Sequence, residues 1–277
     1  MTNVLRFARW ANIAATLVVT AFCAAPTDAA AYWVPPKNLT WYWQLSGKVN
    51  NSHPAMVYDI DGFDNTASEV AALHAVGKKV ICYIEVGAAE NYRPDYAQFP
   101  AYTLGNIIPD YSNERYIDIR NPVVVSIVKN RIKMCVDKGF DAIEPDLDES
   151  YRYNTGFPLT KANEEAFMTP LTNYAHGLGL AMFGKNPDDT GDDYAADMVD
   201  VFDGVITEQC NEYATCSLLN GYLAAGKPVL NAEYRSSSYP GFCTYDNVHG
   251  ITGALFNINL AGGTFKSCRD SSSATPH

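Results

Sequence analysis

Carboxylates recur where short β-rich runs of this sequence give way to loops. Asp59 and Asp61 close one run with Asp64 just beyond. Glu85 ends the next, and Glu144, Asp146, Asp148 and Glu149 crowd the one after; Glu208 and Glu233 end two later runs. Aromatic residues lie beside them: Trp41, Tyr42, Trp43, Tyr58, Tyr83, Tyr92, Tyr151, Tyr153, Tyr213 and Tyr234. A single acid in a loop is usually structural, and a single aromatic is as often core. Five run ends converging on one sign instead point to a cleft of negative potential holding carboxyls of perturbed acidity. Paired carboxyls flanked by flat aromatic faces suit glycosidic hydrolysis. One protonates the leaving oxygen, and the other attacks the anomeric carbon or activates water.

Other chemistries lack parts. There is no H-E-x-x-H or G-x-S-x-G, and His53, His74, His176, His249 and His277 are scattered. Gly177-Leu-Gly179 lacks the third glycine of a dinucleotide fingerprint. Gly221 to Lys227 mimics a phosphate loop, but Pro228 stands where Ser or Thr is needed. Asp59 to Asp64 resembles a calcium loop with its glycine too early and Val70 in place of the closing Glu. No metal or cofactor is expected.

Eight β-rich runs must position these acids: Leu39–Leu45, Ala55–Ile60, Lys79–Glu85, Asp141–Glu144, Leu178–Phe183, Asp203–Thr207, Pro228–Ala232 and Ile251–Asn257. Helical patterns fall between most of them, over Thr66–Val76, Pro122–Lys138, Lys161–His176, Tyr194–Val201 and Ser217–Ala225. Asn121, Pro122 and Gly139 supply the cap, first turn and stop of the clearest helix. Strands alternating with crossover helices predict an α/β fold, a (β/α)8 TIM barrel in one domain over residues 31–268. The eighth helix is reduced or absent, because only a short Ser-rich tail (269–277) follows the last run. In a TIM barrel the C-terminal strand ends carry the chemistry, and that is where the acids fall. Strand alternation puts Ile81, Tyr83 and Glu85 on one face and Val80, Cys82 and Ile84 on the other. If Glu85 faces the mouth, Cys82 faces the helix layer, where Cys135 awaits it.

With 277 residues, 47% of them hydrophobic, the chain can fill a sizeable core, which excludes general disorder. A net charge of −11 excludes a nucleic-acid binder and favours a neutral or cationic partner. Arg6 and Arg9, the apolar run from Ile13 to Ala25 and the small residues ending at Ala31 read as a secretory signal over residues 1–30, too short to span a membrane. Beyond it six cysteines remain, which allow 15 pairings; Cys82–Cys135, Cys210–Cys216 and Cys243–Cys268 are expected. A secreted, soluble monomer without nucleic-acid or membrane partners follows.

Trp41-Tyr42-Trp43-Gln44-Leu45, Tyr58-Asp59-Ile60-Asp61, Val80 to Gly87, Gly139-Phe140-Asp141-Ala142-Ile143-Glu144-Pro145-Asp146, Thr207-Glu208-Gln209-Cys210 and Lys227 to Tyr234 stand in this order. The ordered set resembles glycoside hydrolase family 114, whose members are described as endo-α-1,4-polygalactosaminidases. That resemblance implies a barrel glycosidase cutting inside galactosamine chains, with Asp146 as nucleophile, Glu208 as general acid/base and retention at the anomeric carbon. Asp148 is the rival for Asp146, and Glu144 is a supporting residue. Leu147 departs from the pattern, where a polar residue such as Asn is expected. The substrate contacts expected are Trp43, Asp59, Asp61, Tyr83, Glu85, Glu144, Asp148, Asn186, Glu233 and Tyr234. The implied partner is a cationic or partly acetylated galactosamine polysaccharide, which an acidic mouth attracts in a salt-sensitive way. Asp188, Asp189, Asp192 and Asp193 extend the acidic rim or form a solvated loop. A non-catalytic carbohydrate-binding barrel and a glycosidase for another α-linked sugar are the alternatives.

Overall fold

The computed structural model describes residues 31–269; the signal expected over residues 1–30, and the tail beyond Arg269, lie outside the described residues. Eight parallel strands form the wall: β1 (Trp41–Gln44), β2 (Val57–Asp61), β3 (Lys79–Glu85), β4 (Ala142–Asp146), β5 (Ala181–Lys185), β6 (Gly204–Glu208), β7 (Val229–Glu233) and β8 (Thr252–Phe256). Each pairs with its neighbour in sequence order, and Phe265–Ser267 adds an antiparallel edge to β8. No ladder joins β1 to β8. Closure there comes from the Thr252 hydroxyl donating to the Leu39 carbonyl at 3.0 Å and from Trp41 packed edge-on against Phe256. The sheet is thus a nearly closed (β/α)8 barrel, as the strand and helix alternation predicts.

Local sequence explains the helices. In α1 (Ala67–Ala75), Thr66 and Glu69 form a reciprocal capping box. In α2 (Pro122–Lys138), the Asn121 side chain accepts the Val123 N–H, Pro122 occupies the first turn, and Gly139 ends the helix at φ 88°. A capping box of Thr160 and Asn163 starts α3 (Lys161–Gly177). The remaining crossovers are short: α4 (Tyr194–Asp197), α5 (Asn220–Ala224) and α6 (Gly241–His249). Among the described residues no helix lies between β1 and β2 or after β8, and none is long and apolar enough to cross a membrane.

Two departures from the sequence pattern matter for the site. β5 runs two residues beyond the expected Phe183 and ends on Lys185. Between β3 and α2 the chain builds an unexpected three-stranded antiparallel sheet from Ala88–Glu90, Leu104–Ile108 and Tyr111–Ile117. Its base is bolted to the barrel by Arg131 of α2, fully buried, which donates to the carbonyls of Glu85 (2.7 Å) and Ala88 (3.2 Å) and pairs with Asp95. All three expected disulfides form: Cys82–Cys135, Cys210–Cys216 and Cys243–Cys268. The first ties β3 to α2, on the face opposite Glu85.

Candidate active site

The register of the barrel sets the acids side by side: Tyr83 lies opposite Glu144, and Glu85 opposite Asp146. Between β4 and β5 the ladder stops at Ile143 opposite Met182, below Pro145, which has no N–H to donate. Lys185 fills the mouth beyond that point. Its ammonium lies 3.2 Å from Glu144, 3.0 Å from Asp146 and 3.3 Å from Glu208, and sits over the Trp43 ring at 4.9 Å. The ammonium donates a hydrogen bond to Asp146 and is ion-paired with Glu144 and Glu208, so it holds carboxylates from separate strands or strand positions. Burial alone would lower its pKa, but the surrounding carboxylates of Asp146, Glu208 and Glu144 raise it, so Lys185 is charged.

Exposure separates the acids into two groups. The Asp146 side chain is 22% exposed and that of Glu208 27%, whereas Glu144 is 0% exposed. Asp148 is fully enclosed; it accepts the backbone N–H of Lys185 and braces the end of β5 from behind. Burial would push Asp146 up, but the Lys185 charge and hydrogen bonds from Tyr83 (2.6 Å) and Lys185 hold it below the usual carboxylate range. Glu208 accepts from the Tyr234 hydroxyl and from Asn186 Nδ2 at 3.0 Å, while its own N–H donates to Asn186 Oδ1 at 2.9 Å. A cleft of ≈ 170 Å³ opens beside it, lined by Asn186, Asp189, Glu208, Gln209, Tyr213 and Thr215.

Beneath the exposed pair lies a buried support. Burial, then the neighbouring Glu144, raises Asp59 well above the usual range. Burial also lifts Glu144, to about 7 despite Lys185, and its Oε2 accepts the Trp43 indole N–H at 3.0 Å. Trp43 is therefore enclosed beneath the ammonium.

The chain leaves this floor by strained steps. Leu147 (φ 59°), Asn186 (φ 46°) and Gln209 (φ 59°), the residues immediately after Asp146, Lys185 and Glu208, all adopt the left-handed conformation. Asn adopts it readily; Leu does so at a cost of about 1–2 kcal/mol. The Leu147 side chain packs against Ala88, Ile108 and Tyr116 of the inserted sheet.

A family model for glycoside-hydrolase family GH114 matches residues 23–273. The chain belongs to that family. It is similar to the crystal structure of Aspergillus fumigatus Ega3 in complex with galactosamine, with 29% identity and a TM-score of 0.80 over 86% of this chain and 98% of that one. The glycoside hydrolase domain of PelA from Pseudomonas aeruginosa shares the fold at 12% identity, with a TM-score of 0.62 over 82% of this chain and 97% of that one. An uncharacterised protein of Deinococcus radiodurans is 27% identical over 147 residues, 50% of this chain and 47% of that protein. The match thus spans about half the length of that curated relative.

Of the residues singled out from sequence, Trp43, Asp59, Tyr83, Glu85, Glu144, Asp146, Asn186, Glu208 and Tyr234 gather around or beside Lys185. Three stand apart from it. Asp61 is enclosed and bound by Arg93, which also pairs with Asp64 at 3.1 Å and Glu90 at 2.8 Å, so a guanidinium fills the calcium-like loop. Asp148 lies behind β5, and Glu233 is buried against Asn211 and Asn231. Among the described residues no group of His, Cys, Asp and Glu has the geometry of a metal site. Of the acidic rim, Asp188 is not solvated: it is buried and accepts from Thr207 and Thr215. Lys185 itself escaped the sequence reading. The signal that could have found it was Gly184-Lys185-Asn186 continuing the alternation of β5.

Proposed function

We propose that this GH114 glycoside hydrolase cleaves internal α-1,4 bonds of galactosamine-containing polysaccharide with retention, using Asp146 as nucleophile and Glu208 as general acid/base. The observation that carries this reading is that the two exposed carboxylates share one buried ammonium. Their nearest oxygens can be no farther apart than the Lys185–Asp146 and Lys185–Glu208 contacts laid end to end. Two acids drawn to one ammonium support a close-set pair of the kind a retaining mechanism uses, about 5–5.5 Å apart.

Asp146, held ionised, attacks the anomeric carbon while Glu208, in its protonated form, gives its proton to the departing oxygen; the C–O bond to the leaving sugar breaks as the glycosyl ester forms. Glu208 then takes a proton from water, whose oxygen attacks the same carbon and releases Asp146. The net acidic mouth and the galactosamine bound by Ega3 support an amino-sugar polymer as substrate, either wholly cationic or partly acetylated. The three disulfides support export.

The test is product analysis by mass spectrometry on deacetylated galactosamine polymer. Internal fragments are expected from the native protein. Asp146→Asn or Glu208→Gln should each lower turnover by roughly 10³-fold or more. Turnover that survives both substitutions would refute the assignment.

A further inference from the structure

Away from the mouth, where α6 packs on β7 and β8, lies a buried polar cluster that the two-carboxylate chemistry does not use. Asp246 of α6 is fully buried, and its two oxygens accept from Asn211 Nδ2 at 2.7 Å and Asn231 Nδ2 at 3.1 Å. Glu233, at the end of β7, is buried beside it and accepts the backbone N–H of Asn211 at 2.9 Å and Asn231 Nδ2 at 3.3 Å. Asn211 thus joins both acids, its main chain held by one and its side chain by the other. Among the described residues the charges of His249 and Arg269 act on Asp246 without forming an ion pair, so amides rather than cations hold these carboxylates.

The barrel wall is shaped to admit Asp246. Gly253 of β8 stands opposite Asn231 in the ladder, and a methyl group there would overlap Asp246 Oδ2. The Ile251 N–H donates to the Asp246 carbonyl at 2.8 Å, and the Cys243–Cys268 disulfide fastens the same helix to the chain beside β8.

Two short paths lead from this cluster to the mouth. Asn211 lies three residues beyond Glu208, and the Gln209 N–H between them donates to the Ala232 carbonyl of β7 at 2.7 Å. Side chains alternate along β7, so with Asn231 and Glu233 turned to the helix layer the next residue, Tyr234, turns to the mouth, where its hydroxyl donates to Glu208. Fixing Asn211 to Glu233 and Asp246 therefore fixes Glu208 and Tyr234 relative to each other.

Resting on the reading of Glu208 as general acid/base, we propose that Asp246 is a positioning residue: through Asn211 and Glu233 it aligns the Tyr234 hydroxyl with the Glu208 carboxyl, and so aims Glu208 at the departing oxygen.

The test compares kcat/KM, which covers the bond-breaking step, on an α-1,4-galactosamine oligosaccharide and on α-galactosaminyl fluoride, whose leaving group departs without a proton. Asp246→Ala should lower the oligosaccharide value by roughly 10- to 100-fold and the fluoride value by at most about a few-fold. Asn211→Ala, a change at a half-buried loop residue that removes the amide link alone, should do the same. Asp246→Asn, whose carbonyl oxygen still accepts from Asn211, should restore most of the loss, and Asp246→Ala should add little in a Tyr234→Phe background. No loss, equal losses on both substrates, or losses that add in full to those of Tyr234→Phe would each overturn the proposal. Oligosaccharide cleavage that survives Glu208→Gln overturns the reading beneath it instead.

Discussion

Lys185 decides how the acids of this site divide their work. Three carboxylates within 3.3 Å of one ammonium would repel one another strongly without it. Its compact charge with three diverging donors suits three separate acceptors, whereas a planar guanidinium would favour a single bidentate partner. As the proposed nucleophile Asp146 must be ionised to attack, so activity should fall as pH drops through its pKa. Lys185 keeps that pKa below the usual carboxylate range. Lys185→Met should therefore move the acidic limb of the kcat/KM profile to higher pH and lower the maximum by about 10²-fold. An unmoved acidic limb would mean that Lys185 serves packing alone. The acids were legible from the sequence because each ends a β-rich run. Lys185 was not, because the run it ends reads as complete at Phe183, and a lone lysine past a strand end looks like a solvated loop residue.

At the scale of elements, the turn after β4 places Asp146, the proposed nucleophile. Val86 and Gly87 both donate to the Asp146 carbonyl, at 2.9 and 3.3 Å. A methyl group on Gly87 would lie 2.2 Å from the Leu147 carbonyl oxygen and 2.7 Å from its Cβ. Gly87→Ala must displace the left-handed Leu147 or the strand end, so it should cost about 1–3 kcal/mol in chemical denaturation and lower kcat more than it alters KM. Stability and kcat equal to native would refute this coupling. Strand order and the helices up to α3 were readable from hydrophobic period and caps, as Asn121, Pro122 and Gly139 illustrate. The inserted sheet was not. Its strands Leu104–Ile108 and Tyr111–Ile117 bury few residues and lack the apolar alternation that marks a half-buried strand. α6 was missed for a similar reason: glycine at its start and three polar residues near its end mask a short buried face.

Across the whole molecule, stability is tied to buried acids. Burial raises Glu144 and Glu149 to about 7 and Glu164 to about 8, against an ordinary value of 4.5. A carboxyl whose pKa is higher folded than unfolded binds more protons in the folded state between those values, so stability falls as pH rises from 4.5 towards about 8. Melting temperatures at fixed ionic strength should decline across that window, and Glu164→Gln should flatten the decline. A melting temperature that rises with pH there would contradict the burial of these groups as acids. The same charge makes the mouth attractive to a polycation. That much was legible in the net charge, but the partition into an exposed pair and a buried support depends on three-dimensional burial.

The stereochemistry of the first product tests the shared-ammonium pair most directly. Proton NMR during early hydrolysis of an α-1,4-galactosamine oligosaccharide should show the α-anomer of the new reducing end appearing first, with the β-anomer following only by mutarotation. Initial appearance of the β-anomer would mean that water, not Asp146, attacks the anomeric carbon.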